Sequence, residues 1–258
     1  MTLKKIILVL SLPVIFILGF IILKYPQRVE QKITNTSIIV EDAINTIAPK
    51  PTKILENGLP DRYLLETAFI EQAPEKNWEQ PWQDACEEAG LLTVDYFYKK
   101  VSPSPLDIKQ SILDMIDFET SQGWKKDINI EQISRISSEY LGYNPTIISN
   151  PTLEEIKKYL SQNIPVIVPS AGKILYKENK HFKNNGPEYH TVVILGYDDN
   201  KKQFTVHDVG TQFGKYFRYS YDLLLESNHD LPKSGDKSEI NSGDKKMLIL
   251  TKSDKISP

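Results

Sequence analysis

Apolar and polar positions change character several times along the chain. Residues 6–23 are a run of large apolar side chains, interrupted only by Ser11, Pro13 and Gly19 and free of charge. As a helix this run rises roughly 27 Å, close to the hydrocarbon thickness of a bilayer. From Val29 to about Asn57 the sequence turns polar, carries Pro49 and Pro51, and shows helical spacing only over residues 37–47, the composition of a stalk. Strand formers fill residues 63–70 and stop at Gln72-Ala-Pro, which starts the folded domain near Pro60. Apolar residues then recur at intervals of three and four after Asp84, over 106–120, over 130–141 and over 152–162, which predicts four helices.

Beyond Gln162 the period shortens. Residues 163–169 form an apolar run between breakers, as a buried strand does. Residues 189–197 and 203–209 read as a hairpin turning through Asp198, Asp199 and Asn200. A strand over 217–221, a short helix over 222–227 and a strand over 247–251 complete the pattern, with residues 170–188 left as a polar loop. Ser-Gly-Asp-Lys occurs at 234 and again at 242, which reads as a flexible surface loop rather than a calcium site. Helices first and antiparallel sheet afterwards predict an α+β fold. The expected organisation is therefore an anchor over 1–24, a stalk over 25–59 and one domain over 60–258.

Composition narrows the function. At 40% hydrophobic and 25% charged residues the chain has the balance of a globular protein. A net charge of −3 and the lack of a long basic run give no footing for nucleic acid. One cysteine in 258 residues excludes an intrachain disulfide framework and any zinc site built on two thiolates. No Gly-rich phosphate loop with its lysine is present, so no on-board ATPase is expected, and nothing calls for a cofactor or a metal. Lys4 and Lys5 ahead of the apolar run place the amino terminus in the cytoplasm, although Lys24 and Arg28 beyond it weaken the asymmetry. The run lacks a small-residue cleavage site at its end, which favours an uncleaved single-pass anchor and an extracytoplasmic domain.

The candidate chemistry gathers around the lone cysteine. Asp84 with Glu87 three residues on has the form of a capping box, making Cys86 the second residue of a helix, where free N–H groups and the helix dipole favour a thiolate. Glu87 and Glu88 oppose that charge, so a cation is required. If the hairpin turns through three residues, His190 faces Asp208 directly; an even loop places them on opposite faces unless a bulge intervenes. A His–Asp pair would take the thiol proton on one ring nitrogen and hold the other. The plain alternatives are a buried apolar cysteine, a core-edge histidine and a turn aspartate before Gly210. His207 alternates to the other side of its strand, and His181 and His229 sit in polar loops. An oxyanion hole needs a donor near Cys86, and Gln72, Gln80 and Gln83 all precede it.

Several blocks resemble a known family: Gln72-Ala-Pro, Pro81-Trp-Gln-Asp-Ala-Cys-Glu-Glu-Ala, Gly186-Pro-Glu-Tyr-His, Leu195-Gly-Tyr-Asp-Asp and Asp208-Val-Gly-Thr. Together they are similar to the membrane-anchored or secreted branch of cysteine peptidase family thirty-nine, the papain-like group that includes bacteriocin-processing double-glycine peptidases. The resemblance covers roughly residues 60–229. It implies a papain-like fold with Cys86 as nucleophile, His190 as general base and Asp208 as orienting acid. By position in the family pattern Gln72 is the first candidate for the oxyanion donor. Gln80 is the second, six residues before the cysteine. The chain departs from the family at Gly90, where relatives carry serine, and at His207-Asp-Val-Gly, where they carry Asn-Asp-Pro-Gly. No transporter or ATPase is attached, so leader cleavage coupled to export is not carried over. The expected activity is a membrane-anchored, extracytoplasmic cysteine peptidase acting on a peptide or protein. The competing readings are an acyltransferase or amidase using the same triad, and a non-catalytic module that binds peptide or cell-wall material.

Overall fold

Strand β4 (Tyr189–Asp198) and helix α1 (Cys86–Lys99) form the contact around which the domain is built in the computed structural model, which describes residues 53–56 and 58–253. These lie in the unit Lys50–Pro258. The apolar run of residues 6–23 and the proposed stalk up to residue 52 fall outside the described residues. Among the described residues no helix is long and apolar enough to cross a membrane.

Helix α1 is buried on every side from Cys86 to Tyr96, as befits a helix covered by sheet on one side and helices on the other. Gly90 permits this closeness, since a Cβ there would stand 3.1 Å from the Thr191 methyl on β4. Helix α2 (Pro105–Ser121) starts at a capping box between Ser104 and Asp107 and buries Ile112 and Met115. The expected helix over 130–141 divides into α3 (Ile130–Arg135) and one π-helical turn, Ile136–Tyr140, closed by Leu141 N–H donating to the Ile136 carbonyl. Helix α4 (Leu153–Ser161) begins at the Thr152–Glu155 box and buries Ile156 and Leu160. Two short helices, α5 (Gly172–Leu175) and α6 (Tyr221–Ser227), flank the far end of the sheet.

The sheet is antiparallel throughout, in the order β2 (Tyr143–Ser149), β7 (Lys246–Lys252), β3 (Val166–Ala171), β4, β5 (Gln203–Asp208) and β6 (Phe217–Ser220). Strand β1 (Arg62–Leu64) pairs with the end of β4 at Gly196–Asp198, beyond the reach of β3. This α+β arrangement is the one expected from the order of periods along the chain.

Local differences have physical reasons. The expected strand over 63–70 is regular only at Arg62–Leu64, because β4 offers it no longer edge. Strand β2 has no counterpart among the elements expected from the sequence; as an edge strand it tolerates Pro145. The 170–188 loop contains α5, and a 3-10 turn, Lys237–Ser242, runs from the last residue of the first Ser-Gly-Asp-Lys segment to the first residue of the second.

Candidate active site

The parity of the β4–β5 hairpin decides which side chains can meet. Asp198 pairs with Gln203, so the loop is residues 199–202 rather than the three-residue turn expected, and an even loop alone would separate His190 from Asp208. The register shifts between Ile194 and Gly196, leaving Leu195 as a bulge that restores the parity. Beyond it Val192 faces Asp208, and His190, two residues earlier on the same face, is the diagonal neighbour.

The His190 Nε2 lies 2.8 Å from Asp208 Oδ1. Both residues are buried, at 2% and 0% exposure, so the pair is shielded from competing water. Asp208 Oδ1 also accepts from the Gly210 N–H at 3.2 Å, while Oδ2 accepts from Asn179 Nδ2 at 2.8 Å and Tyr219 O–H at 2.5 Å. Burial by itself pushes this carboxyl up. The charge and hydrogen bond of His190 and the donors Tyr219 and Asn179 outweigh it and hold Asp208 below the usual carboxylate range. Gly210 has its own reason: a Cβ there would stand 2.6 Å from His190 Cε1. Phe182 meets the imidazole edge-on at 5.3 Å between centroids.

Cys86 begins α1 instead of following a cap. The preceding residue, Ala85, supplies no side-chain cap, and Asp84 lies in a 3-10 turn, Trp82–Asp84. Asp84 Oδ2 accepts from Gln80 Nε2 at 2.7 Å, and its Oδ1 stands 3.6 Å from Lys237 Nζ. The Glu87 side chain, which would have closed the box, turns inward: its Oε2 accepts from the Cys86 thiol at 2.9 Å and its Oε1 from the Ile128 N–H at 3.1 Å. Burial, reinforced by Glu87, Glu88 and Asp127, pushes the Cys86 thiol up rather than down.

Cys86 and His190 open onto one cleft of about 730 Å³, which Gln72 and Gln83 also line. Gln72 is buried and its Nε2 donates to the carbonyls of Trp82 at 3.0 Å and Gln83 at 3.1 Å, tying it to the turn that enters α1. Gln80 is exposed, engaged with Asp84, and is not among the residues lining the cleft. His181 lies at the rim, its ring 4.4 Å from that of Phe213. His207 is fully buried on the opposite face between Phe69 and Tyr216, and burial followed by the charge of Lys215 pushes it down to about 3.

Sequence reasoning missed Asn179, Tyr219 and Lys237. The first two hold Asp208 from a loop and from β6; Lys237 reaches the cleft from the start of the 3-10 turn Lys237–Ser242 and pairs with Asp127 at 2.8 Å. Tyr219 pairs with Phe204, which shares the Asp208 face of β5, and that β5–β6 register is not readable from the sequence.

A cysteine at a helix start and a carboxylate-bound imidazole sharing one cleft are what a thiol hydrolase needs. The family agrees: the chain belongs to the Peptidase_C39 like family, which matches residues 66–229, more than half of its length. It is thus a hydrolase of the cysteine-peptidase class. Among solved structures it is similar to a C39-like peptidase from Bacillus anthracis, at 13% identity and a TM-score of 0.48 over 74% of this chain and 98% of that one. It is also similar to Xylellain, a cysteine protease from Xylella fastidiosa, at 13% identity and a TM-score of 0.44 over 80% and 91% of the two chains. No curated protein matches.

Proposed function

We propose that this chain is a membrane-anchored peptidase that cleaves peptide bonds through a thioester on Cys86. The observation that carries this reading is the buried His190–Asp208 contact at the edge of the cleft that holds the cysteine. With Nε2 bound to Asp208, Nδ1 is the ring nitrogen left to take the thiol proton. Sulfur attacks the carbonyl carbon, and the protonated imidazole then delivers its proton to the departing amine. Water, deprotonated by the same nitrogen, hydrolyses the thioester. The oxyanion is met by the Cys86 N–H, which as the first of α1 has no intrahelical acceptor, and by the Gln72 amide, which gives up or shares one of its carbonyl contacts. The anchor rests on residues 6–23 and the preceding lysines, which direct the domain to the extracytoplasmic side.

The test uses the full chain in detergent against a fluorogenic peptide library. Cleavage lost in Cys86→Ala, His190→Ala and Asp208→Asn while the fold is retained is the expected result. Acyl transfer to an added amine in place of cleavage would reassign the chain to a transferase. Binding without turnover would reassign it to a peptide-binding module.

A further inference from the structure

The thiol that should serve His190 is held elsewhere. Cys86 donates to Glu87 Oε2 at 2.9 Å, and the opposite oxygen of that carboxyl is fixed by the Ile128 N–H at 3.1 Å. Glu87 has no exposure, so both of its oxygens act as acceptors within the protein interior. Glu88 adjoins it on α1 with Glu119 of α2 behind; Asp127 comes from the loop that provides Ile128; Tyr189 approaches from β4, and Lys237 from the 3-10 turn, bound to Asp127. An acceptor oxygen in contact with sulfur keeps the proton on the thiol, because only the thiol can donate that hydrogen bond; the carboxyl itself is pushed well above its usual range by burial followed by the charge of Glu88, against the contacts of Cys86 and Ile128.

We propose that Glu87 is a positioning residue for the nucleophile: it holds the Cys86 thiol in a protonated resting state, which sulfur must leave for His190 before it can attack. The proposal rests on the reading of Cys86 and His190 as nucleophile and base. In the activating step the S–H bond breaks and an N–H bond forms at His190 Nδ1; sulfur keeps the electron pair, and Glu87 exchanges no proton. Burial followed by the charges of Glu87 and Glu88 pushes the thiol up, in line with this geometry. The sequence position alone, next to the nucleophile, would have suggested a helix cap instead.

The test measures alkylation of Cys86 by iodoacetamide against pH in the full chain, for which this single cysteine is the only thiol target. Glu87→Gln keeps the side-chain size and an acceptor for Ile128 but turns an amide N–H2 toward sulfur in place of the acceptor oxygen. The alkylation profile should move about one pH unit or more to the acid side, with a rate near neutrality raised about tenfold or more. Glu88→Gln, which removes a neighbouring carboxyl without touching sulfur, should change the rate less than about threefold. Glu87→Asp, one methylene shorter, should fall between, and it serves if the glutamine variant does not fold. An unchanged or slower rate in Glu87→Gln, or an equal acceleration in Glu88→Gln, overturns the proposal. His190→Ala separates the two readings: a rate indifferent to this change sinks the base assignment, whereas a rate that depends on His190 but not on Glu87 sinks only the positioning role.

Discussion

A carboxylate without solvent survives only where its lone pairs are filled, and Asp208 receives donors on both oxygens: His190 and Gly210 on one, Asn179 and Tyr219 on the other. Each donor favours the ionised form, and that form in turn fixes the imidazole with its proton on Nε2. Asp208→Asn keeps the shape but brings an amide N–H2 against donors that need acceptors. A fall in kcat/KM of about 10²–10⁴-fold is expected, since the imidazole loses both its tautomer and its countercharge. Tyr219→Phe is the milder probe. It removes one hydrogen bond to a charged group, worth about 1.5–3 kcal/mol, and leaves Asn179 on the same oxygen. The expected loss in kcat/KM is about tenfold with KM little changed; equal losses in both variants would show that the carboxylate acts through packing alone.

Elements, more than residues, explain what was legible in the chain. Helices with apolar residues at three and four and a capping box ahead of them, such as α2 and α4, were readable because their signals are local. The pairing of His190 with Asp208 was readable as a pair but not as a geometry: the loop has even parity, and the bulge at Leu195 that rescues the face has no signature in composition. Strand β2 hid behind Pro145, and the capping role assigned to Glu87 was taken over by burial against Cys86 and Ile128. Lys237 was hidden for a similar reason, since a polar loop gives no sign that one of its lysines returns to the cleft. The 3-10 turn Lys237–Ser242 brings this ammonium to Asp127 at 2.8 Å and to Asp84 at 3.6 Å, both of which line the cleft with Cys86. Lys237→Gln strips a positive charge from the acidic side of the site. Cys86 alkylation near neutral pH should slow about two- to fivefold at low salt, and the difference should shrink above about 0.5 M salt because the lysine is partly exposed. A faster reaction in this variant would mean that the lysine blocks access and has no electrostatic role.

At the scale of the whole molecule the buried carboxyls pull stability in opposite directions with pH. Asp208 is held below its ordinary range, so its contribution is complete above about 3.9 and is lost as pH falls through the folded value. Glu119 behaves oppositely. Burial pushes it from 4.5 up to about 7, with the hydrogen bond to Glu88 opposing and the charge of Glu87 adding. Asp230 is pushed from 3.8 up to about 6, by burial against the lowering effect of the Ile130 N–H and of Lys246. Between the ordinary and the raised values the folded chain binds more protons than the unfolded chain, so stability is full below about pH 4 and declines as pH rises. The two tendencies place the maximum near pH 4–4.5, with a fall through pH 7. Each unit of proton difference corresponds to about 1.4 kcal/mol per pH unit, or about 3–5 °C in Tm for a domain of this size. Glu119→Gln removes one of these sources together with its hydrogen bond to Glu88. Above about pH 6, where Asp230 is past its midpoint, thermal melts of the variant should show a shallower decline than the parent and a higher Tm at pH 7.5. A parent Tm that is flat or rises from pH 4.5 to 7 would show that Glu119 and Asp230 ionise freely in the folded protein, open to water.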